Sequence, residues 1–276
     1  MKNKLVLITG ATDGIGKQTA RDLALLGAQV IVHGRNKERV EETVRRLRTL
    51  PVGGQVKNGE LRIDGVTFDL SSLKQVKEFA ETIKSKYDRI DVLINNAGIY
   101  MKDRELTEDG FEMTFAVNHL SHFLLTNELL PLIKKSPEGR IVTVSSIAHQ
   151  NTSLDFDNLN AEKKFNAYGA YSLSKLANVL FSKELAERLT GISVASNSLH
   201  PGVISTKLLS AGFNISGTSV KKGAETSVYL ASSSEAKNIS GEYFIDKKIS
   251  RSHSVVNDLI VRKKFWDVSL EMVRGI

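Results

Sequence analysis

The sequence predicts an α/β protein, a single domain (residues 1–276) built on an open, doubly wound parallel sheet of about seven strands with helices on both faces. Three observations predict it. Short β-branched runs alternate with amphipathic stretches along all 276 residues. The runs are near-continuously apolar, as strands buried on both faces must be. A glycine-rich turn, TGATDGIG, joins the first run to the first amphipathic stretch. Strand–helix alternation with right-handed crossovers puts helices on both sides of the sheet and the ligand cleft at the carboxyl ends of the strands.

The strands are expected at Leu5 to Thr9, Gln29 to His33, Gly65 to Phe68, Val92 to Asn95, Arg140 to Ser145, Ser193 to Leu199 and Tyr243 to Ile245. Between the third and fourth, Val76, Phe79, Ala80 and Ile83 recur at helical spacing behind Ser72 and Gln75, a capping-box pair. Leu173, Leu176, Ala177 and Leu180 repeat the helical pattern later. Pro51 to Asp64, with two adjacent glycines, reads as an insertion before the third strand. In the C-terminal extension, 250–276, Leu259, Trp266, Leu270 and Val273 form a stripe expected to pack on the core or on a partner subunit rather than on a membrane.

Composition excludes several function classes. The chain has no cysteine, so a disulfide framework, thiolate metal ligation and a catalytic thiol are ruled out. The apolar run after Met1 to Lys4 is too short for a signal-peptide core or a membrane span, so no integral membrane anchor and a cytoplasmic location are expected. Net charge is +7, from 38 basic and 31 acidic residues. The basic residues are scattered and no groove-reading or base-stacking motif accompanies them, so nucleic acid is not an expected partner. A phosphate-bearing cofactor accounts for part of the excess.

Gly10, Gly14 and Gly16 flank the strand-to-helix turn, where bare backbone, with Ile15 between, can approach a pyrophosphate and a helix N-terminus can face it. At the end of the second strand the chain reads VHGRN: no carboxylate is there to accept ribose hydroxyls, and Arg35 is available for a 2′-phosphate, which favours NADP(H) over NAD(H), with NAD(H) still possible. An exposed arginine starting a helix is also an ordinary solvated charge. Asp13, inside the glycine turn, is unfavourable near such a phosphate unless it points away.

NAYGAYSLSK, from Asn166 to Lys175, carries two tyrosines and one lysine. Lys175 is one helical turn beyond Tyr171, so its ammonium is placed to favour the phenolate. Tyr168 is two turns away, about 10.5 Å along the axis, and is expected to pack or line the pocket.

With these residues in view, the chain resembles the short-chain dehydrogenase/reductase family, of Rossmann type. The resemblance runs in order through TGATDGIG, FDL at Phe68 to Leu70, NNAG at Asn95 to Gly98, VNHLSHFLL around Asn118, VTVSS ending at Ser146, YSLSK and HPGVIST. SKLANVLFSKELAERL and the FWDVSLEM tail look most like its retinol-dehydrogenase-like branch. The resemblance implies that Tyr171 is the general acid/base, that Lys175 binds the nicotinamide ribose and lowers the phenol's pKa, that Ser146 polarises the substrate oxygen, and that Asn118 holds a proton-relay water. Ser145 is the rival for Ser146, since neighbouring strand residues face opposite sides. The resemblance further implies cofactor contacts from Asp69 to the adenine amino group, from Asn95, Ala97 and Gly98 to the adenosine ribose, and from Ile204 and Thr206 to the nicotinamide amide and phosphates. Asp69 reads equally as a helix N-terminal acid. A loop at 149–167 is expected to wall the substrate pocket and a lid at 209–220 to face it.

His119 and His122 stand three apart, but no third ligand joins them in sequence, so no metal is expected. His149 and His200 flank the expected site. The expected function is an NADP(H)-dependent oxidoreductase moving a hydride between nicotinamide and an apolar alcohol or carbonyl compound, as a possible homo-oligomer. The alternatives are a dinucleotide-binding regulatory or scaffold protein without turnover, and a C=C reductase of the protochlorophyllide-reductase type. A membrane-anchored retinoid enzyme fits less well, because no anchor is expected.

Overall fold

A computed structural model describes residues 1–50, 61–213 and 215–276. Eight strands form one sheet in the order β3-β2-β1-β4-β5-β6-β7-β8. They are β1 (Leu5–Ile8), β2 (Gln29–Gly34), β3 (Ile63–Thr67), β4 (Val92–Asn95), β5 (Gly139–Val144), β6 (Val194–His200), β7 (Tyr243–Ile245) and β8 (Lys248–Ile249). All neighbours are parallel except β7 and β8.

The apolar runs are strands because both faces are covered. In β1, Leu5 and Leu7 belong to one core cluster and Val6 and Ile8 to the other. The first cluster is filled by α3 (Leu73–Lys86), α5 (Ser121–Ile133), α6 (Ala167–Arg188) and α9 (Leu259–Arg274). The second receives α1 (Gly14–Leu25), α2 (Lys37–Arg48) and α8 (Val220–Ser232). Among the short helical pieces, α4 (Met113–Phe115) runs into a π-helical turn at Ala116–Leu120, and α7 (Lys207–Gly212) follows β6.

The differences from expectation have physical reasons. β8 adds an eighth strand through a hairpin whose turn residues, Asp246 and Lys247, hold φ of 49° and 64°; that left-handed turn usually announces itself by Asn-Gly, and Asp-Lys does not. β3 begins two residues before the expected Gly65, because this edge strand alternates buried and open positions instead of being apolar throughout. The capping box is half formed: Ser72 Oγ accepts from the Gln75 N–H at 3.4 Å, but the Gln75 amide oxygen accepts from Asp69 N–H instead of Ser72's. In α9, Trp266 and Val273 are buried, whereas Leu259 and Leu270 lie on the surface; the buried stripe is completed by Phe265 and two polar residues, Arg262 and Ser269. The expected insertion at Pro51 to Asp64 falls, for residues 51–60, outside the described residues.

β1 pairs with β2 on one side and β4 on the other, so consecutive strands diverge here and a cleft opens at their carboxyl ends. Into it project the turn after β1, the end of β4, the serines after β5 and the segment after β6.

Candidate active site

Gly10 has φ +63°, and a Cβ added there would sit 2.8 Å from Ala97 Cα. The two strand ends touch, which only a glycine permits. A Cβ on Gly16 would drive into Gly10 O and the Asn96 amide. The turn therefore leaves bare backbone at the N-terminus of α1, the form of a dinucleotide cradle. Ile15 packs towards Gly223 of α8, and Gly14 lies against the Thr206 methyl.

Asp13 caps α1 by accepting from Gly14 N–H at 2.9 Å, and it pairs with Arg39 at 2.9 Å and Lys207 at 3.0 Å. Burial alone would raise this carboxyl, but the hydrogen bonds from Lys207, Gly14 and Arg39 hold it below the usual range. Arg35 is exposed at the turn between β2 and α2, one residue before Asn36, which caps α2. A cleft of about 630 Å³ opens beside Asp13, Lys17, Arg21, Arg46 and Lys207. Its walls are basic and include none of Asn118, Ser146, Tyr171 and Lys175.

The chemistry-bearing side chains converge where β5 meets α6. Ser145 and Ser146 leave β5 on opposite sides, which separates the two rivals: Ser145 Oγ donates to Lys175 O at 2.7 Å inside the protein, while Ser146 Oγ accepts from Ala148 N–H at 3.2 Å and lies near enough to the Tyr171 phenol to act on its pKa. Lys175 Nζ lies 5.6 Å from the Tyr171 ring centroid and donates to Val144 O at 3.1 Å. A Cβ on Gly98 would come within 3.3 Å of that ammonium and 3.5 Å of Asn118 Oδ1. Gly98 thus stands beside the tyrosine–lysine pair.

The phenol is not lowered as expected. Burial pushes Tyr171 up to about 12, against the hydrogen bond from Ser146, and Lys175 does not offset it. Burial takes the Lys175 ammonium down to about 8. The common cause is desolvation, which disfavours both charged forms.

Asn118 is fully buried in the π-helical turn. Its amide accepts from Ile99 N–H at 2.8 Å and donates to Ile99 O and Ser174 Oγ, each at 3.0 Å. The side chain is spent on joining the β4 end to α6, and its main-chain carbonyl meets His122 Nδ1 at 3.1 Å. That carbonyl can only accept, so Nδ1 carries the proton and Nε2 accepts from Thr9 Oγ1, 2.8 Å away. Thr9 Oγ1 in turn accepts from the N–H groups of Asn96 and Ala97. A buried chain thereby links β1, the β4 turn and Asn118.

Asn95 turns its side chain inward to Thr126, leaving only main chain at the cleft. Asp69 Oδ1 accepts from Ser71 N–H ahead of α3. Ile204 is buried and pairs with Thr218 across the base of the 209–220 segment, of which Asn214 is outside the described residues. Thr206 spends its hydroxyl capping α7. From that segment Phe213 covers the phenol, 6.1 Å from the Tyr171 ring and 5.4 Å from Tyr100. Tyr168 lines the same aromatic enclosure edge-on to Phe213 and accepts from the Asn151 amide.

Sequence reasoning passed over Thr9, Asn96, Tyr100, Phe213 and His33. His33 Nδ1 accepts from Gly10 N–H at 3.2 Å and its Nε2 meets Phe68 O at 3.0 Å, so one ring binds the glycine turn to the end of β3. The only local signal was a histidine in an otherwise apolar strand.

The sheet order, the glycine turn and the Ser–Tyr–Lys grouping define a dehydrogenase of the nicotinamide-dependent kind. Residues 4–217 match the family described as short chain dehydrogenase, and the chain belongs to it. It is 44% identical over 294 residues to human retinol dehydrogenase 14, covering 99% of this chain and 87% of that protein. Human retinol dehydrogenase 13 is 41% identical over 98% of this chain and 84% of its own length. A crystal structure of a Mycobacterium paratuberculosis protein superposes with a TM-score of 0.81 at 32% identity, covering 99% of this chain and 94% of that one. The protein is an NAD(P)-dependent oxidoreductase of the retinol-dehydrogenase-like type, and its fold binds a nicotinamide dinucleotide. Among the described residues no helix is long and apolar enough to cross a membrane.

Proposed function

We propose that the protein is an NADP(H)-dependent oxidoreductase that interconverts an apolar alcohol and its carbonyl compound, with Tyr171 as general acid/base. The observation that carries this reading is the meeting of Ser146, Tyr171 and Lys175 beside Gly98, at the carboxyl end of β5. The glycine cradle and Arg35 fit a phosphorylated dinucleotide, and the aromatic enclosure of Tyr100, Tyr168 and Phe213 fits an apolar substrate. When bound, the nicotinamide supplies or accepts the hydride.

The chain's own residues do the rest. Ser146 Oγ donates to the substrate oxygen as negative charge builds there, and Tyr171 delivers the proton. A phenol held near 12 stays protonated at neutral pH and is still far more acidic than an alcohol, so it suits reduction. Oxidation needs the phenolate and is expected to accelerate as pH rises from 7 to 10, whereas reduction is not. Lys175 is suited to the nicotinamide ribose, and Asn118 keeps the β4 end and α6 in register.

A panel of aldehydes, ketones and alcohols, followed by absorbance of the reduced cofactor with NADPH and NADH separately, tests the reading. Tyr171→Phe is expected to lower turnover by roughly 100-fold or more while NADPH binding persists. Full activity in that variant would refute the role.

A further inference from the structure

His149 follows Ser146 by three residues and is fully buried, yet nothing in the reaction calls on it. Its ring is held on both nitrogens. Nδ1 lies 2.7 Å from Ser146 O, and Nε2 accepts from the backbone N–H of His253 at 3.1 Å. A backbone N–H can only donate, so Nε2 must be the unprotonated nitrogen and Nδ1–H donates to the Ser146 carbonyl. The His149 backbone N–H donates to the same carbonyl at 3.2 Å. Two donors from one residue therefore fix the turn that carries Ser146 beside Tyr171, a turn closed also by Ala148 N–H on Ser146 Oγ at 3.2 Å. Edge-on packing against Tyr243 of β7, with centroids 4.6 Å apart, keeps the ring from turning. The neighbouring Gln150 amide donates to Arg251 O at 3.0 Å, a second tie to the same segment. Residues 251–253 lead through the 3₁₀ turn Ser254–Asn257 into α9.

We infer that His149 is a positioning residue: its neutral ring sets the catalytic turn at Ser146 and couples it to the C-terminal extension through the His253 amide. This rests on the proposed role of Ser146. The placement needs a side chain that donates at one end and accepts at the other. An aromatic ring of similar size without nitrogens keeps the packing and loses both bonds.

The experiment compares His149→Phe and His149→Gln with the parent and with Ser146→Ala, in steady-state kinetics, NADPH binding and hydrogen exchange of the 250–257 segment. His149→Phe is expected to lose about 10- to 100-fold in kcat, with NADPH affinity unchanged and faster exchange at the His253 amide. His149→Gln, which can still donate and accept, is expected to recover much of both. Loss of activity in Ser146→Ala with parental kcat in His149→Phe would overturn the positioning role alone. Unchanged exchange at His253 in His149→Phe would overturn the coupling. Full activity in Ser146→Ala would remove the functional reading on which the proposal stands.

Discussion

The proposed preference for NADP(H) turns on Arg35, with Asp13 close to it in the glycine turn. Asp13 is held by Arg39 and Lys207, so its charge is compensated and Arg35 remains available to a 2′-phosphate. Replacing Arg35 by alanine is expected to raise the KM for NADPH roughly tenfold and leave that for NADH unchanged. Equal changes for the two cofactors would show that this arginine does not discriminate. The tyrosine–lysine pair was legible in sequence because its partners are one helical turn apart. The ties from His149 to His253 and from Thr9 to His122 were not, since they span 104 and 113 positions and no local pattern reports such contacts. The rise of the Tyr171 pKa was hidden for the same reason: it comes from burial beneath Phe213 and Tyr100, which belong to distant segments.

Whole elements were read more completely than residues. Strands buried on both faces declare themselves as apolar runs, and β4 and β7 have the expected ends. The π-helical turn that presents Asn118, Ala116–Leu120, has no composition that sets it apart from the α-helices on either side. The C-terminal helix was half legible, because its stripe includes a buried arginine. Arg262 sits on Val256 O at 2.9 Å and near Glu184 at 3.4 Å, which satisfies a charge that hydropathy places outside. Trp266 is the helix's main anchor, stacked on Phe181 at 5.8 Å and edge-on to Phe123 at 4.9 Å, with Arg188 over its face. Trp266→Ala is expected to cost about 3–5 kcal/mol, read as a lower midpoint in denaturant unfolding. A loss below about 1 kcal/mol would mean that α9 adds little to the core.

The molecule as a whole carries a pH dependence in its buried imidazoles. Burial lowers His33 and His200 to about 4 and His119 and His122 to about 3, from an ordinary 6.5. The folded form keeps them neutral while the unfolded chain takes up protons below 6.5, so the stability these histidines govern is full above that value and falls as pH drops towards 4. The thermal midpoint is expected to decline already between pH 6.5 and 5, before most carboxylates titrate. An unchanged midpoint across that interval would contradict these environments. Where the sheet ends, β8 folds back as two residues with Lys248 in solvent. A foreign strand approaching that margin meets a short ladder and a positive charge instead of a long row of open amides. Such a margin is a poor template for edge-to-edge pairing, and it takes only four residues of chain, Asp246 to Ile249.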